Sequence, residues 1–494
     1  MLAVQSLEFR VALIGLATLL ALGVGATGTS ALGAEKTVTE EVLEILKASG
    51  TISEDKYEEL LERAQSEQAE RAVDAASKLP DQTAKEKDPK GWTVKWSNGT
   101  KVERNDGAFK LKIGGRAMLD FAQIWGDQSL RTSVNDNGAF GSGVECRRCR
   151  LFVQGTLYDR FLFNLQVDFA GNSSGDGTAL KDAYVGLTGL GPVGTVRIGH
   201  MKEDFSLEEM TSSKYIVFME RALPSVFDPA RNVGISAYNT FLDGRLRYAL
   251  GGFHQTNDGA FGQKDTPGPT TYHITGRLTG LPYWEDKGKK FIHLGIDYSH
   301  QFTGSGGTNT LDYAQDPEAH LAADYVDTEN IQNVEAIDLF TGEIAAGWNS
   351  LSAQAEWQGS LVSRRGNQED LFFWGVYGQL SWFATGEHRN YSPKYGNFGR
   401  TKLNKNFDPT SGDWGAFELA ARVSYLDLNS HDVRGGELFD ITAGVNWYLW
   451  PNVRIMTNYV HSILRQRLPT PSGGLLAPGK GDGDLFEMRF QLDF

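Results

Sequence analysis

The sequence has few cysteines, a deficit of basic residues and no long apolar run beyond its first 33 residues. Two cysteines among 494 residues exclude a disulfide framework. The 48 Lys and Arg face 62 Asp and Glu, and the resulting net charge of −14 argues against nucleic acid as a partner. Residues 34–494 contain no stretch of about 18 uninterrupted apolar residues, the length that a spanning helix needs. A helical membrane protein is therefore excluded.

Recognisable catalytic and metal-binding patterns are also lacking. The nine histidines are scattered, and neither an HExxH sequence nor a Ser-His-Asp arrangement is visible. Cys146 and Cys149 form a CxxC pair, but on a regular strand they would point to opposite faces, about 10 Å apart. A disulfide there would require a turn or a bulge. We expect no enzyme, no metal and no cofactor.

What the chain does contain is strict alternation of apolar and polar residues, clearest in its last stretch. Apolar side chains alternate there with polar ones, and the sequence stops on an aromatic residue, Phe494. A period of two predicts a strand with one apolar and one polar face. In a transmembrane barrel the apolar face meets lipid and the polar face lines a wet lumen. A soluble sandwich is the alternative. The apolar positions are Phe486, Met488, Phe490, Leu492 and Phe494.

The same alternation recurs upstream, most cleanly at 110–124, 160–170, 351–361 and 417–425. We count about fifteen strands, and because bacterial single-chain barrels have even strand numbers, we expect sixteen antiparallel strands. The predicted fold is an all-β transmembrane barrel. The other candidate strands are 146–158, 179–188, 193–201, 233–241, 244–255, 271–281, 290–302, 370–384, 437–449, 452–464 and 484–494.

The chain before the barrel divides into two predicted parts. Residues 1–33 have a basic flank, a short apolar run and small residues at the end, which is typical of a signal peptide. Residues 34–90 are charged and helical in pattern, with Ser53 as a helix cap, and end in a linker. This segment is either a mobile spacer or a periplasmic helical hairpin that aids assembly or touches the cell wall. The barrel domain would be 91–494.

Three segments are too long to be turns between strands. Residues 126–145 and 303–348 are rich in Gly, Asn and Asp, which favours extracellular loops. Residues 202–232 differ, because Tyr215 to Met219 is an apolar run unsuited to solvent. We expect this third segment to fold into the barrel and constrict it.

Basic side chains on the predicted lumen face mark the candidate site. Arg116 shares a face with Asp120, Arg148 shares one with Arg150, and Arg147 lies near the predicted strand start. Arginine forks bind oxyanions, and hydroxyl and ammonium groups can replace their hydration shell. The cluster is therefore either an anion path or a set of rim arginines that pair with lipid phosphate or wall carboxylates. The inward loop adds Ser212, Ser213 and Lys214.

Several motifs, taken in order, resemble the phosphate-selective porin O and P family over most of 108–494. The resemblance implies a trimeric sixteen-stranded channel, and Arg116, Arg147, Arg148, Ser212 and Ser213 match the family's anion-site pattern. Glu209 departs from it, since phosphate-specific members carry a lysine there, and Lys181 with Asp182 also differs. The matching stretches are 111–116, 146–148, 196–199, 204–214, 219–221, 352–356, 383–387 and 444–448.

The sequence thus predicts an outer-membrane porin for passive diffusion of small hydrophilic solutes, with anions, phosphate among them, as the favoured class. Its expected partners are outer-membrane lipid, small inorganic anions and two further copies in a homotrimer. A general or cation-tolerant porin is one alternative, given the net acidity and Glu209. A structural barrel that tethers the outer membrane to the cell wall through its N-terminal helices is another.

Overall fold

The structure is a computed structural model in which the chain divides into two units, 1–87 and 88–494. It describes residues 90–134, 140–170, 178–256, 270–304, 309–467 and 479–494, with isolated positions between 47 and 61. In the first unit the described residues Lys56–Glu58 are helical, and Ser53 Oγ accepts a hydrogen bond from Lys56 N at 3.4 Å. The predicted signal peptide lies outside the described residues. No helix among those described is long and apolar enough to cross a bilayer.

Sixteen antiparallel strands form a closed barrel in the described part of the second unit, and the last strand pairs with the first. The closing register runs from Gly483 opposite Gly126 to Asp493 opposite Arg116. The wall strands are β3 Phe109–Gly126, β4 Gly141–Leu157, β5 Phe161–Asp168, β6 Ala179–Leu187, β7 Thr195–Lys202, β8 Arg231–Phe241, β9 Leu246–His254, β10 Thr270–Glu285, β11 Lys290–Thr303, β14 Val334–Trp348, β15 Leu351–Arg364, β16 Leu371–Phe383, β21 Ala416–Ser430, β22 Val433–Trp450, β23 Val453–Arg467 and β24 Gly479–Asp493.

The remaining elements are short. They are the hairpin β1 Trp92–Trp96 and β2 Thr100–Arg104, the two-residue strands β12 Ala314–Gln315, β13 Val326–Asp327, β17 Tyr391–Ser392, β18 Asn397–Phe398, β19 Phe407–Asp408 and β20 Asp413–Trp414, the helices α1 Gln128–Ser133 and α2 Leu207–Met210, and the 3₁₀ turns Gly191–Val193, Leu223–Phe227 and Asp286–Gly288.

The two faces of the wall are those that the alternation predicts. Ile296 and Leu380 are 65% and 64% exposed on the outer face, whereas Arg422 and Arg489 are 1% and 0% exposed on the inner face. Because an arginine in hydrocarbon is costly, the polar set belongs to the lumen and the apolar set to lipid. With the exception of 384–415, short turns join the strands at one end, and most connections at the other end are longer loops, which identifies the periplasmic and extracellular rims. Phe494 lies at the periplasmic rim.

Two of the predicted loops need correction. Residues 303–348 are not all loop, because Val334–Trp348 is a wall strand and is the sixteenth strand that the sequence count lacked. The aromatic residues before it, Tyr313 and Tyr325, are buried with Phe227 in a cluster inside the barrel mouth. In 126–145, helix α1 is capped by Asp127, and β4 already begins at Gly141.

Three segments fill part of the lumen. Residues 203–230 enter from the extracellular end, as predicted, with Phe218 and Met219 fully buried. Residues 309–333 cover them from the same side. Of the periplasmic segment 384–415, residues 387–400 enter the lumen, and Tyr391 and Phe398 pack there against Leu207, whereas Phe407 and Trp414 lie on Trp447 at the rim. These segments pack against the β10–β24 side of the wall, and Arg277 of β10, for example, donates a hydrogen bond to the carbonyl oxygen of Gly396 at 2.9 Å.

Candidate functional site

The inward segment 203–230 is anchored at helix α2 by a carboxylate from the opposite wall. Glu356 of β15 accepts hydrogen bonds from the backbone N–H groups of Leu207 and Glu208 at 2.8 and 2.9 Å. Those amides have no partner within the helix, so the carboxylate satisfies them where water is excluded. The anchor leaves the far edge of the segment, which carries Ser212 and Ser213, facing strands β3 and β4.

A cavity of about 390 Å³ lies between this edge and strands β3, β4, β6, β7 and β8. Among the described residues, nine basic side chains line it against two acidic ones, so its local charge is opposite to that of the whole chain. The basic residues are Arg116, Arg147, Arg148, Arg150, Lys181, Arg197, Lys202, Arg221 and Arg231, and the acidic ones are Asp182 and Glu209.

Arg116 differs from the other arginines of the cavity in its partners. Its Nη1 donates to Ser213 Oγ at 2.7 Å and to Ser212 Oγ at 3.4 Å, and its Nε has no hydrogen-bond partner. Within the part of the chain that the structure describes, no carboxylate lies within ion-pair distance of it. The residue is only 7% exposed. A buried guanidinium without a counter-ion is costly, and a bound anion would remove that cost.

A β-bulge at Arg147 decides where the neighbouring arginines point. On β3, Met118 pairs with Arg148 and the next residue, Leu119, pairs with Cys146, so Arg147 is the extra residue. A bulge allows two consecutive side chains to point to the same side of a strand. Both Arg147 and Arg148 therefore reach the lumen. Arg147 lies in the middle of β4, and our prediction that it sits near the strand start was wrong.

The same bulge corrects the prediction for the two cysteines. Cys146 and Cys149 pair with Leu119 and Ala117, which share the outer face of β3, so both cysteines lie on the outer face of the wall. Regular alternation would have placed them on opposite faces. Both are free thiols.

Glu220, on the inward segment, holds three arginines together. Its carboxylate contacts Arg147 at 2.9 Å, Arg148 at 3.3 Å and Arg489 of β24 at 2.6 Å. Burial alone would raise the pKa of Glu220, but Arg147 and Arg148 hold this pKa well below its usual range. The ionised carboxylate thus fixes the two bulge arginines at the cavity edge. Asp120 does not line the cavity, because it lies behind it in a 2.5 Å ion pair with Arg489.

A second cavity of about 500 Å³ continues the first towards the periplasmic rim, and Tyr184 and Arg197 line both. Lysines surround this lower space, which Lys394 of the periplasmic segment also reaches. The two cavities therefore lie end to end along the β3–β8 side of the wall, beside the inward segment. The lysines on the wall side are Lys101, Lys110 and Lys112.

The family model described as phosphate-selective porin O and P matches residues 111–494. The chain belongs to the phosphate-selective porin O and P family. It is an outer-membrane porin of the bacterial cell. It is 26% identical over 481 residues to an uncharacterised protein of Caulobacter vibrioides, with 90% of each chain covered. It is 24% identical over 438 residues to Porin O of Pseudomonas aeruginosa, with 81% and 92% covered. Of the solved structures, the anion-selective porin from Comamonas acidovorans matches 78% of this chain and 100% of its own, with 16% identity and a TM-score of 0.46.

Glu209, at the position where the family resemblance leads us to expect a lysine, forms ion pairs with two cationic side chains. Its two carboxylate oxygens contact Lys202 at 2.6 Å and Arg221 at 3.0 Å. Burial would raise the pKa of Glu209, but Arg221 and Lys202 lower it below its ordinary value, so the group is ionised at neutral pH. The carboxylate therefore cancels part of the positive potential that these two cations bring to the cavity. Lys181 also lines the cavity, beside Asp182, which pairs with Arg231 at 3.0 Å.

Lys214 of the porin lies outside the cavity lining, one step further along the inward segment. Its Nζ is 3.7 Å from a carboxylate oxygen of Asp493 and 5.5 Å from the centre of the Phe152 ring. Burial, aided by the positive charge of Arg116, lowers the pKa of Lys214 to about 7. The charge of this lysine is therefore sensitive to pH near neutrality.

Sequence reasoning missed four basic members of the porin's cavity. Arg197 could have been found, because it alternates with the outward residues Val196 and Ile198 on β7. The others are strand-end or loop residues whose direction no local pattern shows: Lys202, Arg221 and Arg231.

Proposed function

We propose that this porin is anion-selective and that the cavity beside Arg116 is its binding site for small inorganic oxyanions, phosphate among them. The observation that carries the proposal is the buried Arg116 guanidinium, which has two serine hydroxyls and, among the described residues, no carboxylate as partners. An oxyanion there would accept hydrogen bonds from Arg116 and from the serine hydroxyls. The family's description as phosphate-selective supports the same class of solute.

The other arginines of the cavity act by electrostatics more than by direct binding. Arg147 and Arg150 are already paired, with Glu220 at 2.9 Å and with Asp168 at 2.6 Å. They raise the local concentration of anions without holding them tightly. Conduction requires that the ion is bound weakly enough to be released. A single arginine without a carboxylate partner, surrounded by arginines that are already paired, meets this requirement. Transport is then diffusion through the lumen, with no chemical step.

Planar-bilayer recording tests this proposal. A tenfold KCl gradient should give a reversal potential of the sign for anion selectivity, and phosphate should block the chloride current. Arg116→Ala should weaken that block about tenfold or more, because a hydrogen bond to a charged group contributes about 1.5–3 kcal/mol. Arg365→Ala is the matched control, since it removes the same charge from an exposed extracellular position.

Two outcomes would count against the proposal. A cation-selective reversal potential would favour the general or cation-tolerant porin, in which the acidic extracellular segment around Asp312 and Asp316 dominates. An equal loss of block in Arg116→Ala and Arg365→Ala would show that no site exists at Arg116. The homotrimer remains a prediction, which chemical crosslinking of the protein in outer-membrane vesicles would test.

A further inference from the structure

The hairpin of β1 and β2 extends the barrel wall at the periplasmic rim. Strand β2 pairs with β3 at residues 110–113, directly below the point where β24 ends. The backbone of Phe494 exchanges hydrogen bonds with Gly115, at 2.8 and 3.1 Å, so β2 takes over the ladder where the C-terminal strand stops. Gly99, at φ +119°, makes the turn, and a Cβ there would lie 2.6 Å from the Ile113 carbonyl oxygen. The hairpin is thus built into the wall.

The two faces of the hairpin continue the two faces of the barrel. Val102 pairs with Leu111 of β3 and with Val94 of β1, which puts all three on the outer side. Glu103, on the inner side, forms a 2.6 Å ion pair with Lys95 and lines the lower cavity. Hence the apolar side of β1 lies on the same surface as the lipid-facing residues of the wall.

Three large apolar side chains on that outer side of β1 are strongly exposed. Trp92, Val94 and Trp96 are 59%, 67% and 64% exposed, higher values than for most lipid-facing side chains of the wall. The Trp92 ring lies 6.2 Å from that of Phe109, which lies 4.9 Å from Tyr158 in the first periplasmic turn. An aromatic band therefore continues without a break from the hairpin to the rim of the barrel.

We propose that the outer face of this hairpin is a membrane-docking surface, seated among the phospholipids of the inner leaflet of the outer membrane. Tryptophan and tyrosine collect at the interface between hydrocarbon and water, where an apolar ring and a polar edge are both satisfied. Because this face is continuous with the lipid-exposed wall, the molecules that cover it are lipids. Lys95 in the middle of the edge strand disfavours pairing of β1 with a strand of a second copy.

Labelled cysteines on the two sides of β1 test the proposal. Val94→Cys and Lys95→Cys would each be made in the full chain with Cys146→Ser and Cys149→Ser, labelled with an environment-sensitive nitrobenzoxadiazole dye, and reconstituted into phosphatidylethanolamine–phosphatidylglycerol vesicles. The dye at position 94 should be quenched at least twofold more by nitroxide-labelled lipid than the dye at 95. Aqueous iodide should show the reverse order. Heat-modifiable gel mobility verifies that each labelled barrel is folded.

The remaining outcomes overturn the proposal. Equal access of iodide to both positions would mean that the face lies in water. Protection of position 94 from both quenchers, together with a thiol crosslink between two copies of the unlabelled Val94→Cys protein, would mean that a second copy covers the face. Protection without such a crosslink would mean that another part of the protein covers it. None of these results depends on which ion the pore selects.

Discussion

Replacing Glu209 by glutamine should strengthen anion binding in the cavity. The carboxylate is the acidic group that the inward segment presents to the cavity lining, and it is held by Lys202 and Arg221 at 2.6 and 3.0 Å. Glutamine keeps the shape and two polar atoms but removes the negative charge. The two cations would then act on the solute without a competing carboxylate.

The size of the effect follows from Coulomb's law. At an effective dielectric constant of about 20, unit charges interact by about 4 kcal/mol at 4 Å and about 2 kcal/mol at 8 Å. Water in the lumen screens this further, so we expect about 1.4 kcal/mol or more, which is at least a tenfold change in affinity. The assay is block of the chloride current by phosphate in a planar bilayer, from which the half-blocking concentration is read.

A matched charge change elsewhere shows whether the effect is local. Glu369→Gln removes the same charge from an extracellular side chain that is 71% exposed, and its half-blocking concentration should stay within twofold of the parent value. If Glu209→Gln leaves the block unchanged or weakens it, the reasoning fails. Glu209 would then serve chiefly to position Lys202 and Arg221.

Two further predictions concern Lys214 of the inward segment and Arg422, a wall residue of β21 that contacts the inward segments. The pKa of about 7 for Lys214 means that its ammonium is charged below pH 7 and neutral above it, so anion selectivity in a KCl gradient should be greater at pH 6 than at pH 8. The difference should disappear in Lys214→Met, and an unchanged pH dependence in that variant would assign it to other groups. Arg422, fully buried, contacts Glu318 at 2.6 Å and the backbone carbonyl of Glu220 at 3.1 Å. Arg422→Ala should lower the free energy of unfolding by about 3–5 kcal/mol, because it leaves a buried carboxylate unpaired. Denaturant unfolding in detergent measures this, and a loss below about 1 kcal/mol would show that the pair is dispensable.

Strand β14 is the wall strand that the sequence pattern did not predict. Its inward residues at the extracellular end, Ile337 and Leu339, are apolar because they pack on the folded-in loops instead of facing water. The outward residue between them, Asp338, is charged, so the polar and apolar positions there are exchanged relative to the pattern of a wet barrel strand. The neighbouring acidic segment then led us to interpret the whole of 303–348 as loop. A strand that faces a filled lumen cannot be recognised by alternation alone.

The arginine cluster also shows, for single residues, what the sequence could predict and what it could not. Alternation placed Arg116 and Arg148 on the lumen face, and the structure has them there. It could not reveal the bulge at Arg147, since one extra residue in a pairing register depends on the partner strand. Nor could it show that Glu220 pairs with Arg148 and Arg489, which lie 72 and 269 positions away from it in the chain.

The sequence by itself determined the barrel class, the lipid and lumen faces of most strands, and the inward course of 203–230. These follow from local alternation, because each residue of a wall strand meets either lipid or lumen according to its position alone. Only the tertiary structure decided which arginines of the described lumen are paired with carboxylates and that Arg116 is not. Ion pairs form between groups that are distant along the chain, so the charge left for a solute is a property of the assembled lumen.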